Sequence, residues 1–354
     1  MRNQILNRSV LTLMVLGLIL PVLMTARTYE ESFDKSFSVK SGGTLTVDSN
    51  IGDVAVTGSG GSKVDITVEQ KFYASGDREL EQLKEHLEMK IDQQGNDVII
   101  YVRFHRPEGN LLKLITGNQR WPQIKFIMTV PEKYNLDLKT GDGDVVVSRI
   151  EGDVDCRTSD GDVAIDQITG PVTLKTSDGD VIVNDINGIL EARTSDGDIS
   201  ASGCSASAEL TTSDGDIIAE KIKADVNLRT SDGDVVVEET EGSVTATTSD
   251  GDIMVNGFKG NIQAKTSDGN IQVVMKHQPD SSCSLKTSDG NIGLRLAEDI
   301  KATINAKASD GHVSTDFPVK VSGKVSKNRL YTELNGGGPE LMLQTSDGNI
   351  TISH

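Results

Sequence analysis

The residues best equipped for chemistry in this chain are aspartates, and they recur at a fixed interval. Asp-Gly followed by Asp, Asn or His begins at Asp142, Asp160, Asp178, Asp196, Asp214, Asp232, Asp250, Asp268, Asp289, Asp310 and Asp347. Seven consecutive spacings are 18 residues, the next two are 21 and the last is 37. The last is close to two repeats and predicts one copy that has lost its turn motif. Seven copies carry a second Asp two places on, at Asp144, Asp162, Asp180, Asp198, Asp216, Asp234 and Asp252. If copies stack about 4.8 Å apart, as strands do, neighbouring charges repel by roughly 1 kcal/mol in water and several-fold more in a poorer dielectric. A hard divalent cation would relieve that repulsion, and carboxylates are its natural ligands. Calcium candidates are therefore Asp160, Asp162, Asp178, Asp180, Asp196, Asp198, Asp214, Asp216, Asp232, Asp234, Asp250 and Asp252.

A structural reading competes with calcium. The first Asp of each turn can accept hydrogen bonds from turn N–H groups. A basic residue stands three places before it in Lys139, Arg157, Lys175, Arg193, Arg229, Lys265, Lys286 and Lys307. In later copies the second Asp becomes Asn270, Asn291, His312 and Asn349, so paired acids are not needed throughout. The Gly-Gly-x-Gly-x-Asp pattern of calcium-binding rolls is missing. A carbohydrate-active β-helix enzyme is the third reading. It needs two carboxylates in unlike environments, and a ladder of identical turns supplies none. His86, His105, His277, His312 and His354 have no metal-ligand spacing. No catalytic residue and no cofactor is expected.

The elements that must hold these turns are short strands. From Asp160, each copy has two halves of alternating apolar and polar residues, bounded by Gly turns. Counting the first Asp as position 1, positions 4, 6, 13 and 15 point inward. Val163, Ile165, Val172 and Leu174 are examples. Cys156 at position 15, Cys204 at position 9 beside Ile150, Ile168, Ile186 and Ile222, and Cys283 at the counterpart of Val154 read as buried hydrophobes, not as a disulfide framework. Antiparallel meanders would leave one apolar face bare. A parallel β-solenoid, one copy per coil, turns both faces inward about 10 Å apart. The predicted fold is therefore all-β, with two short strands in each 18-residue coil. Gly161 and its equivalents are expected to supply positive φ at the corner. Thr158 and its equivalents should stack, their hydroxyls bonding to one another or to backbone. Eleven or twelve coils would form a rod about 50–60 Å long.

Position 5 faces outward yet reads Val146, Ala164, Ile182, Ser200, Ile218, Val236 and Met254. Val146, Ile182, Ile218, Val236 and Met254 form a candidate contact stripe. Its cover could instead be intramolecular, from a helix over 77–91 (Leu80, Leu83, Leu87 and Ile91) or from the excursion Arg106–Trp121. Face-to-face self-association is a third option.

The chain divides into residues 1–26, a diverged N-terminal coil and cap region at 27–139, and the repeat domain at 140–354 with a capping C-terminal coil. Arg2, Arg8 and the apolar run Val10–Met24 read as a secretory signal, with Thr25-Ala26 as the cleavage point. An uncleaved anchor is the alternative, and the only membrane contact expected. Removing residues 1–26 takes away two Arg and no acid, so the net charge of −18 becomes −20. Such acidity argues against a nucleic-acid partner.

Ser-Gly-Gly-Thr-Leu-Thr-Val at 41–47, Asn50–Val56, Val130-Pro131, the Thr-Ser-Asp-Gly-Asp series and Thr-Ser-Asp-Gly-Asn-Ile at 345–350 resemble the putative-adhesin β-strand repeat family, a bacterial domain of unknown function. The resemblance covers most of the chain beyond residue 26 and implies a surface or envelope β-solenoid. The expected role is an exported, adhesin-like structural element in the periplasm, on the cell surface or secreted. Its partners would be an envelope or surface protein or a glycan.

Overall fold

The structure is a computed structural model and describes residues 27–105, 121–318 and 326–354. The expected signal segment and nearly all of the 106–121 excursion lie outside the described residues. Two sheets of fifteen strands each form the walls of a flattened coil. Consecutive copies pair in parallel and in register. In the first wall Val163 sits beside Val181 and Ile165 beside Val183. In the second, Val172 sits beside Leu190 and Leu174 beside Ala192. One 18-residue copy is therefore one coil, and equivalent residues form columns. Fifteen strands at about 4.8 Å make a rod close to 70 Å long, longer than the repeats alone predict.

The core is a stack of thin layers. Val163, Ile165, Ile168, Val172 and Leu174 are each no more than 1% exposed, as are their counterparts Val181, Val183, Ile186, Leu190 and Ala192. Burial of each Val, Leu or Ile is worth about 1.5–3 kcal/mol, and small branched side chains fill a narrow gap well. Cys156, Cys204 and Cys283 are free and buried in it. Burial pushes all three thiols up, that of Cys204 to about 11, so they act as hydrophobes.

Alternation puts positions 4 and 6 inward and would put position 8 inward next. Instead position 8 takes the left-handed conformation in Arg149 (φ 59°), Gln167 (57°), Asp185 (54°), Lys221 (53°) and Glu239 (53°), and in Gly203 (73°) and Gly257 (75°). The effect is that of a bulge. It resets the alternation and turns position 9 inward, where Ile150, Ile168, Ile186, Cys204, Ile222, Thr240 and Phe258 are buried.

The position-2 glycines do not have positive φ, contrary to expectation. They are required for contact. A Cβ on Gly161 would lie 2.0 Å from the carbonyl oxygen of Gly143, and one on Gly197 would lie 2.0 Å from that of Gly179. Backbone from successive coils touches there, and no side chain fits.

Both ends are interlaced, which the sequence does not suggest. The last strands, Glu340–Thr345 and Ile350–Ser353, do not lie at the end of the rod. They slot between the Asp289 coil and the coil of Ala302–Ala308 and Val313–Thr315. The 37-residue gap is thus no coil without its turn. It holds Arg329–Leu334, which runs antiparallel to Ala302–Ala308 and closes the second wall. At the other end, Thr44–Ser49 lies between Asp97–Phe104 and Asn135–Lys139. Antiparallel strands Arg27–Ser38 and Leu87–Gln94 form the edges there. Three of the four sheet edges are therefore reversed strands, which limits further sheet growth, and the fourth is the short parallel strand Val313–Thr315.

The helix predicted over 77–91 is shorter. Helix α1 spans Asp77–Glu85, and Leu87–Gln94 is a strand in a hairpin with Asp97–Phe104. Leu83, Leu87 and Ile91 fit a helical spacing, but Leu87, Met89 and Ile91 also alternate. The turn at Gly95, with φ 64°, closes the hairpin and decides the matter. Leu80 and Leu83 pack with Phe72, Ala74 and Phe104 in a small satellite core at the N-terminal end.

Candidate functional site

The acidic turn is built by three nested ladders. The first is threonine. Thr158 Oγ1 donates to the Gly143 carbonyl of the preceding turn at 3.0 Å and accepts from Gly161 N–H at 3.3 Å. Thr176, Thr194, Thr212, Thr230, Thr248, Thr266, Thr287 and Thr345 repeat this arrangement. Their hydroxyls bond to backbone, not to one another. The second is backbone: Ser177 N–H donates to the Ser159 carbonyl at 3.0 Å, and Ser195 to Ser177 likewise.

The third ladder uses the position-3 carboxylates. Asp162 N–H donates to Asp144 Oδ1 at 3.0 Å, Asp180 to Asp162 at 2.9 Å and Asp198 to Asp180 at 2.9 Å. Asp216, Asp234 and Asp252 continue it at 2.8, 2.8 and 2.7 Å. Asn270, Asn291, Asn349 and His312 then carry it on, in the spatial order of the interlaced end. The expectation that the first Asp serves the turn N–H groups is thus corrected. The second Asp does so, and across coils. Asp160, Asp178, Asp196, Asp214, Asp232 and Asp250 are exposed, without a side-chain hydrogen bond or ion pair among the described residues. Among the described residues no group of three or more His, Cys, Asp or Glu converges as a metal site needs. One oxygen of each position-3 Asp from Asp144 to Asp252 is already engaged by backbone.

Beside this edge runs the apolar column. Val146 is 49% exposed, Ile182 50%, Ile218 39% and Met254 47%, with Val236 half-buried. The column also continues past the repeats: Ala55 pairs with Val146, and Ile127, 41% exposed, pairs with Ala55. Sequence reasoning missed Ile127 because its coil is inserted outside the regular spacing. Helix α1 lies against Lys63–Ala74 and Leu87–Gln94, so it does not cover the column. A cleft of about 990 Å³ opens near the N-terminal end of the same wall, between Glu30, Glu69, Lys71, Tyr73 and Trp121. Trp121, the chain's one tryptophan, sits edge-on to Phe104 at 6.0 Å.

The second wall carries a different surface. Arg157 pairs with Asp155, and Arg193 reaches Glu191 at 2.9 Å and Glu209 of the next coil at 3.0 Å. Burial holds the Asp155 carboxyl above its ordinary range. Arg157 opposes that shift and Asp137 reinforces it.

Stacked 18-residue coils, a Gly-backed Asp turn and an exposed apolar column define a β-solenoid repeat protein whose surface, not a pocket, is the candidate site. The Toastrack DUF4097 family matches residues 45–256 and, in a second overlapping match, 190–353. The chain belongs to that family. No curated protein matches it. Among solved structures it is similar to a putative adhesin from Parabacteroides merdae, at 14% identity over 75% of this chain and 96% of that one, with a TM-score of 0.34. It is similar also to a putative adhesin from Bacteroides fragilis, at 15% identity over 75% and 97%, with a TM-score of 0.30. A third similarity is to a putative lipid binding protein from Parabacteroides distasonis, at 17% identity over 74% and 96%, with a TM-score of 0.32. At such identities and scores these likenesses carry no argument about a ligand.

Proposed function

We propose that the chain is an exported, adhesin-like structural solenoid of the cell envelope or surface, which binds through its sheet faces and catalyses nothing. The observation that carries this reading is the exposed column Val146, Ile182, Ile218 and Met254, left uncovered by helix α1. A large apolar strip facing water on a rigid wall is a contact surface in most soluble proteins that have one. The carboxylates of these turns are all exposed to water, whereas a glycosidase secludes one of its pair to act as the acid.

The test combines export and contact. A reporter enzyme active only outside the cytoplasm is fused after His354 and should be active. A photo-crosslinking residue at Ile182 should join a partner in intact cells, whereas one at Thr173, exposed on the second wall, should not. An inactive reporter, or equal labelling from the two positions, would overturn the reading. Calcium dependence is tested separately, by melting with calcium and with chelator. A marked difference between the two would make the Asp160–Asp252 turns metal ligands.

A further inference from the structure

We infer that the outer face of the first wall, from the Asp142 coil to the Asp250 coil, docks a basic amphipathic polypeptide segment of a partner protein. The inference rests on the contact-face reading above and names the chemistry of its partner. Positions 1–7 of those seven coils hold seventeen Asp and Glu residues and no Lys, Arg or His. The second wall, by contrast, mixes signs and pairs them, as Arg157 with Asp155 and Arg193 with Glu191 and Glu209. Acid is therefore concentrated on the wall that also bears the apolar column, with Arg149 and Lys221 as its cations at position 8.

The ladder does not account for that charge. It needs an acceptor at position 3, and Asn270 and Asn291 supply one equally well to Asn291 and Asn349. Seven coils nevertheless keep Asp there, at about 4.8 Å intervals that make neighbours repel. The position-1 carboxylates from Asp160 to Asp250 add a second column without an internal cation. Across the apolar column, Asp166, Glu220 and Glu238 border the other side. The face is thus an apolar lane with a purely acidic margin at positions 1 and 3 and, across the lane, acids that alternate with Arg149 and Lys221.

Charge complementarity selects the occupant. A second copy laid on this face would bring the same carboxylates against it. Anionic lipid and nucleic acid are repelled. A segment with apolar side chains along one stripe and Lys or Arg beside it satisfies both lane and margins. A helix has a pitch of about 5.4 Å, close to the coil spacing of about 4.8 Å. Lying along the column, it keeps its basic residues near successive carboxylates for two or three turns.

The experiment is calorimetric titration of the full chain with two synthetic 18-residue probes, an amphipathic Leu/Lys helix and its Leu/Glu counterpart. The Leu/Lys probe should bind, at least tenfold more weakly in 0.5 M than in 0.05 M NaCl, because screening shortens the reach of the charges. D180N/D198N/D216N should weaken binding at least tenfold while preserving the ladder, as the native Asn coils do. I182N/I218N should weaken it similarly, and R157Q/R193Q on the second wall should not. Circular dichroism checks that each variant keeps its sheets. Equal binding of the Leu/Glu probe, or full affinity in the triple Asp→Asn variant, would overturn the inference. If Ile182 still crosslinks a partner in cells after that result, the contact face stands and only its basic partner falls. If Ile182 crosslinks nothing, both fall together.

Discussion

Gly197 sets a tight residue-level constraint, because a methyl group there would meet the Gly179 carbonyl at 2.0 Å. We expect G197A to destabilise the fold by about 3 kcal/mol or more, since two backbones must separate. Urea unfolding measures this, and a loss below about 1 kcal/mol would show that the coils can part cheaply. Thr240 is the opposite case. It occupies the inward position 9 of its coil with a buried Oγ1 that has no partner. T240V keeps the shape and removes the orphan hydroxyl, so stability should rise by about 1 kcal/mol, read as a higher urea midpoint. The sequence announces Gly at position 2 but not its reason. Glycine answers both a positive φ and a close approach, and only the stacked backbone distinguishes them. The left-handed residue went unread because Arg149, Gln167, Asp185, Lys221 and Glu239 share no side-chain type.

At the scale of the element, the columns were legible because an 18-residue period fixes register without further information. Val163 must sit beside Val181 if coils stack at all. The donors to the carboxylates were not legible, since the offset between one coil's N–H and its neighbour's side chain depends on corner geometry. The end of helix α1 was misread because Leu83, Leu87 and Ile91 satisfy helical spacing and strand alternation together. The acidic columns have an energetic consequence. Raising NaCl from about 0.02 to 0.5 M, where the Debye length falls from roughly 20 to 4 Å, should raise the melting temperature. D180N/D198N/D216N should flatten that dependence. A melting temperature indifferent to salt in the native chain would mean the carboxylates do not repel as their spacing implies.

For the whole molecule, the parallel stack could be inferred from repetition, but the interlaced ends could not, because pairing Glu340–Thr345 with both Cys283–Lys286 and Ala302–Ala308 leaves no mark in local sequence. Two deletions of similar size should therefore behave differently. Removing 178–195 excises one complete coil and joins Ser177 to Asp196, so the shortened rod should melt cooperatively near the native temperature. Removing 340–354 withdraws an inner layer, so Ala302–Thr315 should lose protection from proteolysis as well. Retained protection there would show that the final coil is dispensable trim. The placement of that coil also bears on synthesis. A protein made from its N-terminus can lay down its middle rungs as they emerge, but the gap beside Asp289 has to wait for Ile352. Residues made after the outer layer are thus its keystone, and any chain that stops short of Glu340 remains visibly unfinished to whatever inspects new proteins.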